Sequence, residues 1–271
     1  MKTLINCIAG LACASMFVTT PALADDALKA AIAGAQRTPA NVARDGARHP
    51  YETLQFFGLR PNMTVVELSP GGGWYTEILA PYLRGQGRLV AASYDPASST
   101  GYFARNAKGF ADKLAGNAAV YDKVSVTVFE PPAKLDMGEP GSADLVLTFR
   151  NAHNWVQFGE DNVRAVFARA FATLKSGGIF GIVDHRLPAG RIQDAKASSG
   201  YVHETYVIAM AESVGFKWAG GSDINANLKD TADHPKGVWT LPPTYALKEV
   251  DRAKYEAIGE SDRFTLKFIK P

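Results

Sequence analysis

The stretch VVELSPGGGWYTEIL, Val65 to Leu79, combines residue types that suit a ligand-binding turn. Glu67 lies near the end of an apolar run, and Gly71, Gly72 and Gly73 follow before a series of helix formers. Because glycine lacks a Cβ, the backbone there can adopt unusual dihedral angles and lie close to a ligand. The free N–H groups that begin the next helix add positive potential. The pattern favours a ligand site at this turn over a plain tight turn.

Three better-known ligand or nucleophile motifs do not fit this chain. A P-loop would need Gly-Lys-Ser or Gly-Lys-Thr, which is absent. The dinucleotide pattern G-x-G-x-x-G breaks at Thr76, where the third glycine is due. No G-x-S-x-G nucleophile elbow occurs, which argues against a hydrolase.

Two histidines follow apolar runs that read as strands, and either could act in proton transfer. His153 lies in the polar stretch FRNAHNW, and His185 follows Asp184 in VDHR. A histidine there could accept a proton from a hydroxyl or an amine; a structural role is the alternative for His153. Asp184 is not expected to orient His185 directly, because adjacent strand residues point to opposite faces. A metal site that adds His203 is a further alternative, but no close histidine spacing supports it, so no metal is expected.

Strands and helices alternate along most of the chain. The predicted strands are 64–68, 88–92, 124–129, 143–149, 178–184, one beginning at 215–218, and 263–269. The predicted helices are 74–83, 101–114, 162–174 and 203–214. Nearly continuous apolar strands separated by helices indicate a mainly parallel sheet that is covered on both faces. Ligands bind such sheets beyond the carboxyl ends of the strands, where the strand order reverses, so the glycine turn and both histidines should meet in one cleft.

The first 24 residues are expected to be a signal peptide. Lys2 precedes a mostly apolar run, and Ala22-Leu23-Ala24 forms a small-x-small cleavage site, which would leave Asp25 as the new N-terminus. The apolar run is short for a membrane span of about 20 residues. The mature protein is therefore predicted to be exported to the periplasm, without stable insertion in the membrane. N-terminal sequencing that finds Met1 intact would contradict this prediction.

Removal of the leader leaves 247 of the 271 residues, enough for one large α/β domain over residues 25–271. Residues 25–60 read as a helical N-terminal arm, and residues 225–262 as a long surface excursion. Both cysteines, Cys7 and Cys13, lie in the leader, so the mature chain can form neither a disulfide nor a thiolate metal site. Loss of Lys2 lowers the formal net charge from +2 to +1, and no long basic run favours nucleic acid.

The glycine turn resembles the first motif of class I S-adenosylmethionine (SAM)-dependent methyltransferases, an acidic residue followed by x-G-x-G-x-G. In this chain the motif reads Glu67-Leu-Ser69-Pro-Gly71-Gly-Gly73, with Ser69 in place of the first glycine. More closely, nearly the whole mature chain is similar to a family of predicted bacterial methyltransferases that often carry export signals. The matching stretches are RHPYETLQFFGLRPNMTVVELSPGGGWYTEILAPYL, LVLTFRNAHNW, LKSGGIFGIVDHR, VHE, AESVGF and SDRFTLKFIKP.

This resemblance implies a Rossmann-like class I methyltransferase fold. That fold has a mainly parallel seven-stranded sheet with an antiparallel last strand, helices on both faces and, here, the helical N-terminal arm. It also implies SAM as the cofactor and a small-molecule acceptor. By the resemblance, Gly71 and Gly73 face the methionine part and the ribose, and Glu67 organises the loop.

The resemblance also implies an acidic residue that binds the ribose hydroxyls, at the end of the second strand. The strict position at the end of the second strand is Ser93, and Asp95 lies 22 residues after Gly73, near the roughly 20 expected. Asp95 is therefore the predicted ribose ligand. Glu130, just past the third strand, is a candidate neighbour of the adenine, with a solvated loop acid as the alternative. The acceptor-side residues are expected to be His153 and His185. The alternative function is an exported binding protein, or a degenerate protein of this fold that uses another ligand. Export favours this alternative, because SAM is made inside the cell.

Overall fold

The structure, a computed structural model, describes residues 21–271. Residues 1–20 of the predicted signal peptide lie outside the described part, and the first helix, α1 (Pro21–Ala33), continues through the predicted cleavage position. Within the described part, no helix is both long enough and apolar enough to span a bilayer.

An eight-stranded mixed sheet forms the centre of the protein. Its strands are β1 (Thr64–Leu68), β2 (Arg88–Ser93), β3 (Ser125–Glu130), β4 (Lys134–Leu135), β5 (Ala143–Phe149), β6 (Leu174–His185), β7 (Lys217–Ser222) and β8 (Arg263–Ile269). Their spatial order is β4-β3-β2-β1-β5-β6-β8-β7. The five neighbouring strands β3, β2, β1, β5 and β6 pair in parallel. Strand β8 runs antiparallel to both β6 and β7.

This arrangement confirms the predicted methyltransferase-like α/β fold with its antiparallel last strand. The sheet has one strand more than predicted, because the two-residue strand β4 adds an antiparallel edge to β3. So short a segment has too few residues to show an alternating pattern of its own.

Helices cover both faces of the sheet, as predicted. The N-terminal arm contains α1, α2 (Pro39–Val42), α3 (Asp45–Arg48) and α4 (Pro50–Phe56). The following helices are α5 (Thr76–Leu83), α6 (Gly101–Gly116), α7 (Ala118–Tyr121), α8 (Ala152–Val156), α9 (Glu160–Thr173), α10 (Glu204–Ser213) and α11 (Arg252–Ile258). Pro50 begins α4, where its missing N–H costs no hydrogen bond.

Strand β1 shows how the sheet divides the core into two layers. Val65 packs with the arm and α5, whereas Val66 and Leu68 pack with the layer formed by α8, α9 and α10. Successive side chains of a strand point to opposite faces, so a strand covered on both faces must be apolar at nearly every position. This requirement explains why Val65, Val66 and Leu68 are all apolar.

The strand order reverses between β1 and β5. The chain leaves β1 towards β2 on one side, and β5 later pairs with β1 on the other side. Asn151 joins the two strand ends, because its side-chain amide donates to the Leu68 carbonyl oxygen at 3.2 Å and lies 3.1 Å from Thr148 Oγ1. A ligand cleft is expected at this point of an open α/β sheet.

Candidate functional site

A cavity of about 510 Å³ opens at the carboxyl ends of β1 and β5. The glycine turn and the residues after β5 line it, together with the arm, the start of α6 and part of the segment 225–262. That segment was expected to run over the surface, but its 3-10 helix Gly237–Thr240 brings Trp239 to the cavity. Thr240 and Leu241 are fully buried. The segment thus closes one side of the site.

The glycine turn contributes Ser69, Gly71 and Gly72 to the cavity wall. Gly71 has a φ of +56°, and a Cβ built on it would meet no atom within 4 Å. The backbone there is therefore open to a ligand. Ser69 also has a positive φ, 49°, which is costly for a residue other than glycine. Gly73 does not line the cavity; its missing Cβ faces Lys113 of α6 at 3.0 Å.

Glu67 lies beneath this turn and is almost completely buried. Thr76 Oγ1 donates a hydrogen bond to Glu67 Oε2 at 2.6 Å, which links the end of β1 to the first turn of α5. Burial raises the pKa of Glu67 to about 7, against the lowering effect of the Thr76 hydrogen bond. Glu67 lines a small cavity below the main one rather than the main cavity itself.

His153 and Asp184 form a buried hydrogen-bonded pair. His153 Nδ1 lies 2.8 Å from Asp184 Oδ1, and the backbone N–H of His153 donates to Asp184 Oδ2 at 2.9 Å. Asp184 is fully buried near the end of β6. Because β6 pairs with β5, its side chain reaches the first turn of α8, which follows β5. Because a carboxylate only accepts hydrogen bonds, Nδ1 is the protonated nitrogen of a neutral His153, and Nε2 keeps a lone pair.

His185 follows Asp184 as the last residue of β6, and its ring lies 5.0 Å from the His153 ring. Its Nδ1 lies within hydrogen-bond distance of Ser261 Oγ, and its backbone N–H donates to Asp184 Oδ1 at 2.8 Å. Burial lowers the pKa of His185 well below its usual value, and the nearby His153 and arginines lower it further. The Asp184 carboxylate is thus hydrogen-bonded to the His153 ring, and His185 is a neutral imidazole beside that ring.

His153, Asp184 and His185 could also be considered as metal ligands, because one ligand atom of each lies within 4.8 Å of the others. Three N–H groups already occupy the Asp184 carboxylate, two from His153 and one from His185. His203 is not part of the group; its Nε2 contacts the Arg191 carbonyl oxygen at 2.8 Å. A hydrogen-bonded acid–histidine pair describes these contacts better than a cation site.

Asp95 and Glu130 contact each other outside the cavity lining. The Asp95 side chain pairs with Lys134, and this hydrogen bond lowers the pKa of Asp95. Glu130 accepts hydrogen bonds from the Asp95 backbone N–H at 3.2 Å and from Ser98 Oγ at 2.8 Å. Tyr94, one residue before Asp95, does line the cavity. Of the predicted site residues, the structure therefore brings together Ser69, Gly71, His153 and His185.

An arginine cluster forms the wall of the cavity that faces the arm. Glu260 accepts from Arg44 Nε at 2.7 Å, Arg48 Nε at 3.2 Å and Arg263 Nη1 at 2.9 Å. Burial alone would raise the pKa of Glu260, but the surrounding guanidinium groups lower it to about 2. Glu260 is consequently ionised at neutral pH.

Sequence reasoning did not single out several residues that line the cavity, namely Arg44, Arg48, Tyr94, Tyr102, Asn106, Trp239, Glu260 and Ser261. Most of them are far from the glycine turn in the sequence and belong to the arm, α6 or the segment 225–262. The one available signal was position: Arg48 and Ser261 lie at the borders of stretches that resemble the methyltransferase family.

Comparison with known proteins supports the fold at low sequence identity. No protein-family model matches the sequence, and no curated protein matches it. A SAM-dependent methyltransferase from Aquifex aeolicus is similar in structure, with a TM-score of 0.56, 14% identity and coverage of 91% of this chain and 98% of that one. A geranyl diphosphate methyltransferase solved with SAM has a TM-score of 0.54, 14% identity and coverage of 90% and 95%.

The chain therefore has the fold of class I SAM-dependent methyltransferases. A [4+2]-cyclase, SpnF, is similar to the same degree, with a TM-score of 0.56, 13% identity and coverage of 83% and 80%. Because proteins of different activity share this architecture, the fold alone does not define the function.

Proposed function

We propose that this protein is a methyltransferase that binds SAM at the glycine turn and methylates a small-molecule acceptor beside His153. The observation that carries the proposal is the shared cavity at the reversal of strand order. It joins the open backbone at Gly71 to a histidine whose tautomer is fixed by a buried carboxylate.

The residues of the turn fit the proposed cofactor. The positive φ of Gly71 and the free space around it allow the backbone to contact the methionine part of the cofactor. Asn151 holds the ends of β1 and β5 together, so the turn and the residues after β5 keep a fixed separation. Binding of the ribose by Asp95 stays a prediction, and it would require the carboxylate to exchange its contact with Lys134.

The bound cofactor would supply a methyl group on a sulfonium sulfur, which becomes a neutral thioether as the acceptor's oxygen or nitrogen bonds to the methyl carbon. Such a displacement depends mainly on holding the two partners in line and close together. His153 Nε2 can take the proton that the acceptor loses, while Asp184 stabilises the resulting imidazolium. His185 remains neutral and adds no positive charge beside it.

A second candidate is a protein of this fold that binds the cofactor, or another ligand, without transferring a methyl group. The similarity to a [4+2]-cyclase favours keeping it. Transfer of label from methyl-labelled SAM to an acceptor would exclude it.

Calorimetry of the protein with SAM and S-adenosylhomocysteine (SAH) tests the proposal. Gly71→Val should abolish binding of both, because the side chain would enter the open space beside the turn and strain a backbone with positive φ. The matched control is Gly177→Val. Gly177 also has a positive φ, +77°, and free space for a Cβ, but it lies at the opposite end of β6.

The control separates strain from a blocked site, since both substitutions strain the backbone and only one faces the cavity. Gly177→Val should keep the wild-type affinity for SAH. A wild-type protein that binds neither SAM nor SAH would overturn the proposal, and so would a Gly71→Val variant with unchanged affinity.

A further inference from the structure

The arginine wall of the cavity carries more positive charge than the protein itself neutralises. Four guanidinium groups, those of Arg44, Arg48, Arg150 and Arg263, surround the carboxylate of Glu260. The buried carboxylate of Asp184 also acts on Arg150, so four cations face two carboxylates, and that of Asp184 already accepts three N–H groups. Arg44, Arg48 and Arg263 each contact the Glu260 carboxylate. The guanidinium of Arg150 has no ion pair and no hydrogen bond within the described residues, and its Nε is buried without a partner.

The unpaired donors of this wall lie at the cavity. Arg44, Arg48 and Arg150 line it, and Nη2 of both Arg44 and Arg48 is buried without a hydrogen bond. Arg48 is only 4% exposed, so this donor points into the protein rather than into bulk solvent. A buried, unpaired donor on a charged group is costly, and a protein retains it where a ligand completes its contacts.

Arg150 is also held in a strained conformation. Its φ is +63°, and its backbone N–H donates to the Val183 carbonyl oxygen at 2.7 Å. Strain of this kind is found where a side chain must point into a site. Arg150 precedes His153 by three residues, so the same turn after β5 presents both an unpaired cation and the proton acceptor.

The proposed cofactor cannot neutralise this wall by itself. SAM carries one carboxylate, but it also carries an ammonium and a sulfonium group, so its binding adds net positive charge to the cavity. The remaining partner in the reaction is the acceptor. We infer that the methyl acceptor is itself an anion, a small carboxylic or phosphoric acid whose acidic group contacts Arg150 and Arg48. This inference rests on the proposed methyl transfer.

The acidic group would also orient the acceptor. A planar guanidinium forms paired hydrogen bonds with a carboxylate or phosphate, which fixes the direction of the rest of the molecule. With that group held at Arg150, a hydroxyl or amine elsewhere in the acceptor can reach His153 at the same end of β5.

Anion binding to the SAH complex tests this assignment without a known acceptor. Inorganic phosphate and acetate serve as probes, with sodium chloride at equal ionic strength as the reference. Their affinity is followed by calorimetry and by the shift in melting temperature. In the SAH-saturated wild type, at least one probe should bind and raise the melting temperature. Arg150→Gln should lower that affinity at least about tenfold, because it removes charge-assisted hydrogen bonds.

Two variants make the result specific. Arg164→Gln removes an equal charge from an exposed arginine that pairs with Glu160, and it should bind the probes like the wild type. Arg150→Lys keeps the positive charge and should retain part of the affinity. Arg150→Gln should fold normally, because it removes a cation from a cluster with excess positive charge.

The outcomes also separate the sources of the anion. If SAH saturation abolishes probe binding to the wild type, the arginines hold the cofactor's own carboxylate and the inference is wrong. The same follows if Arg150→Gln loses affinity for SAH but not for the probes. A protein that binds SAH but neither probe overturns the acceptor assignment alone. A protein that does not bind SAH overturns the proposed function, and the acceptor assignment with it.

Discussion

His153 is the residue whose chemical state the structure defines most directly. Its Nδ1 contacts the buried carboxylate of Asp184 at 2.8 Å, which requires Nδ1 to carry the proton when the ring is neutral. His234 provides an internal contrast. Its Nε2 lies 2.8 Å from Asp230 Oδ1, so the same reasoning gives the opposite tautomer.

Nitrogen NMR shifts of labelled protein should therefore show two different neutral imidazoles at about pH 8.5, where an ordinary histidine is uncharged. His153 should be the Nδ1–H form and His234 the Nε2–H form. Asp184→Asn should disturb the His153 signals and leave those of His234 unchanged. With an acceptor in hand, His153→Ala should lower turnover by about 10²–10⁴-fold at unchanged SAH affinity. An Nε2–H tautomer at His153 would contradict its role as the proton acceptor.

Functional residues could be predicted from the sequence only where they lie close to one another along the chain. The glycine turn was recognisable because Glu67, Gly71 and their neighbours form one short motif. The His153–Asp184 pair was not found, because its members lie 31 residues apart and meet only when β6 pairs with β5. Adjacent strand residues point to opposite faces, which correctly argued against an Asp184–His185 side-chain contact but could not supply the true partner.

At the level of elements, Glu260 connects the N-terminal arm to the end of the sheet. It lies just before β8 and accepts from Arg44 and Arg48, which border and end the short helix α3. Helices of four residues are not stable alone, so their position depends on such tertiary contacts. Arg48 also lies over the Trp74 ring, 4.8 Å from its centroid, which ties the arm to the glycine turn.

Glu260→Gln should consequently destabilise the protein by about 3–5 kcal/mol, because it leaves several buried guanidinium groups without their carboxylate. The free energy of unfolding in urea measures this loss, and hydrogen exchange should show the earliest opening in residues 39–56. Glu249→Gln is the matched control. It breaks an exposed pair with Arg252 and should change stability by less than about 0.5 kcal/mol. Equal stability of the two variants would show that the cluster does not hold the arm.

The sequence predicted the elements of the central sheet well because their patterns are strong. β1, β5 and β8 have the predicted bounds, since each is a short segment rich in apolar and β-branched residues. Most of the segment 225–262 lies exposed or partly exposed, but its polar composition gave no sign of the part that turns inward. Tyr201 and His234 both contact Asp230, which is buried. Polar composition indicates exposure only when such partners are absent.

On the scale of the whole molecule, the buried ionisable groups make stability depend on pH in opposite directions. Glu260 has a pKa lowered to about 2, so its contribution is present above its ordinary value and is lost as the pH falls. His185 has a lowered pKa as well, so acid favours the unfolded chain, which takes up a proton that the folded protein excludes. Glu67 acts in the other direction, because burial raises its pKa.

For Glu67 the folded protein holds a proton until about pH 7, whereas the unfolded chain releases it near the ordinary value of 4.5. Its contribution to stability is therefore complete below pH 4.5 and is lost as the pH rises to about 7. Glu67→Gln keeps the shape of the protonated side chain and cannot ionise. The difference in unfolding free energy, variant minus wild type, should increase by about 3 kcal/mol between pH 4.5 and pH 8. Glu260 and His185 are present in both proteins, so their contributions cancel in this difference.

Glu77→Gln is the control, because it replaces a buried glutamate whose carboxylate, unlike that of Glu67, has a cationic partner. Glu77 is also fully buried, but its carboxylate contacts Lys113 Nζ at 2.5 Å and accepts from the Thr38 backbone N–H at 3.2 Å. Removal of its charge should destabilise the protein at pH 8, because the partners lose a carboxylate. Urea unfolding of the three proteins between pH 4 and pH 8 gives the comparison. A Glu67→Gln difference that stays constant over this range would show that Glu67 titrates alike in the folded and unfolded chains.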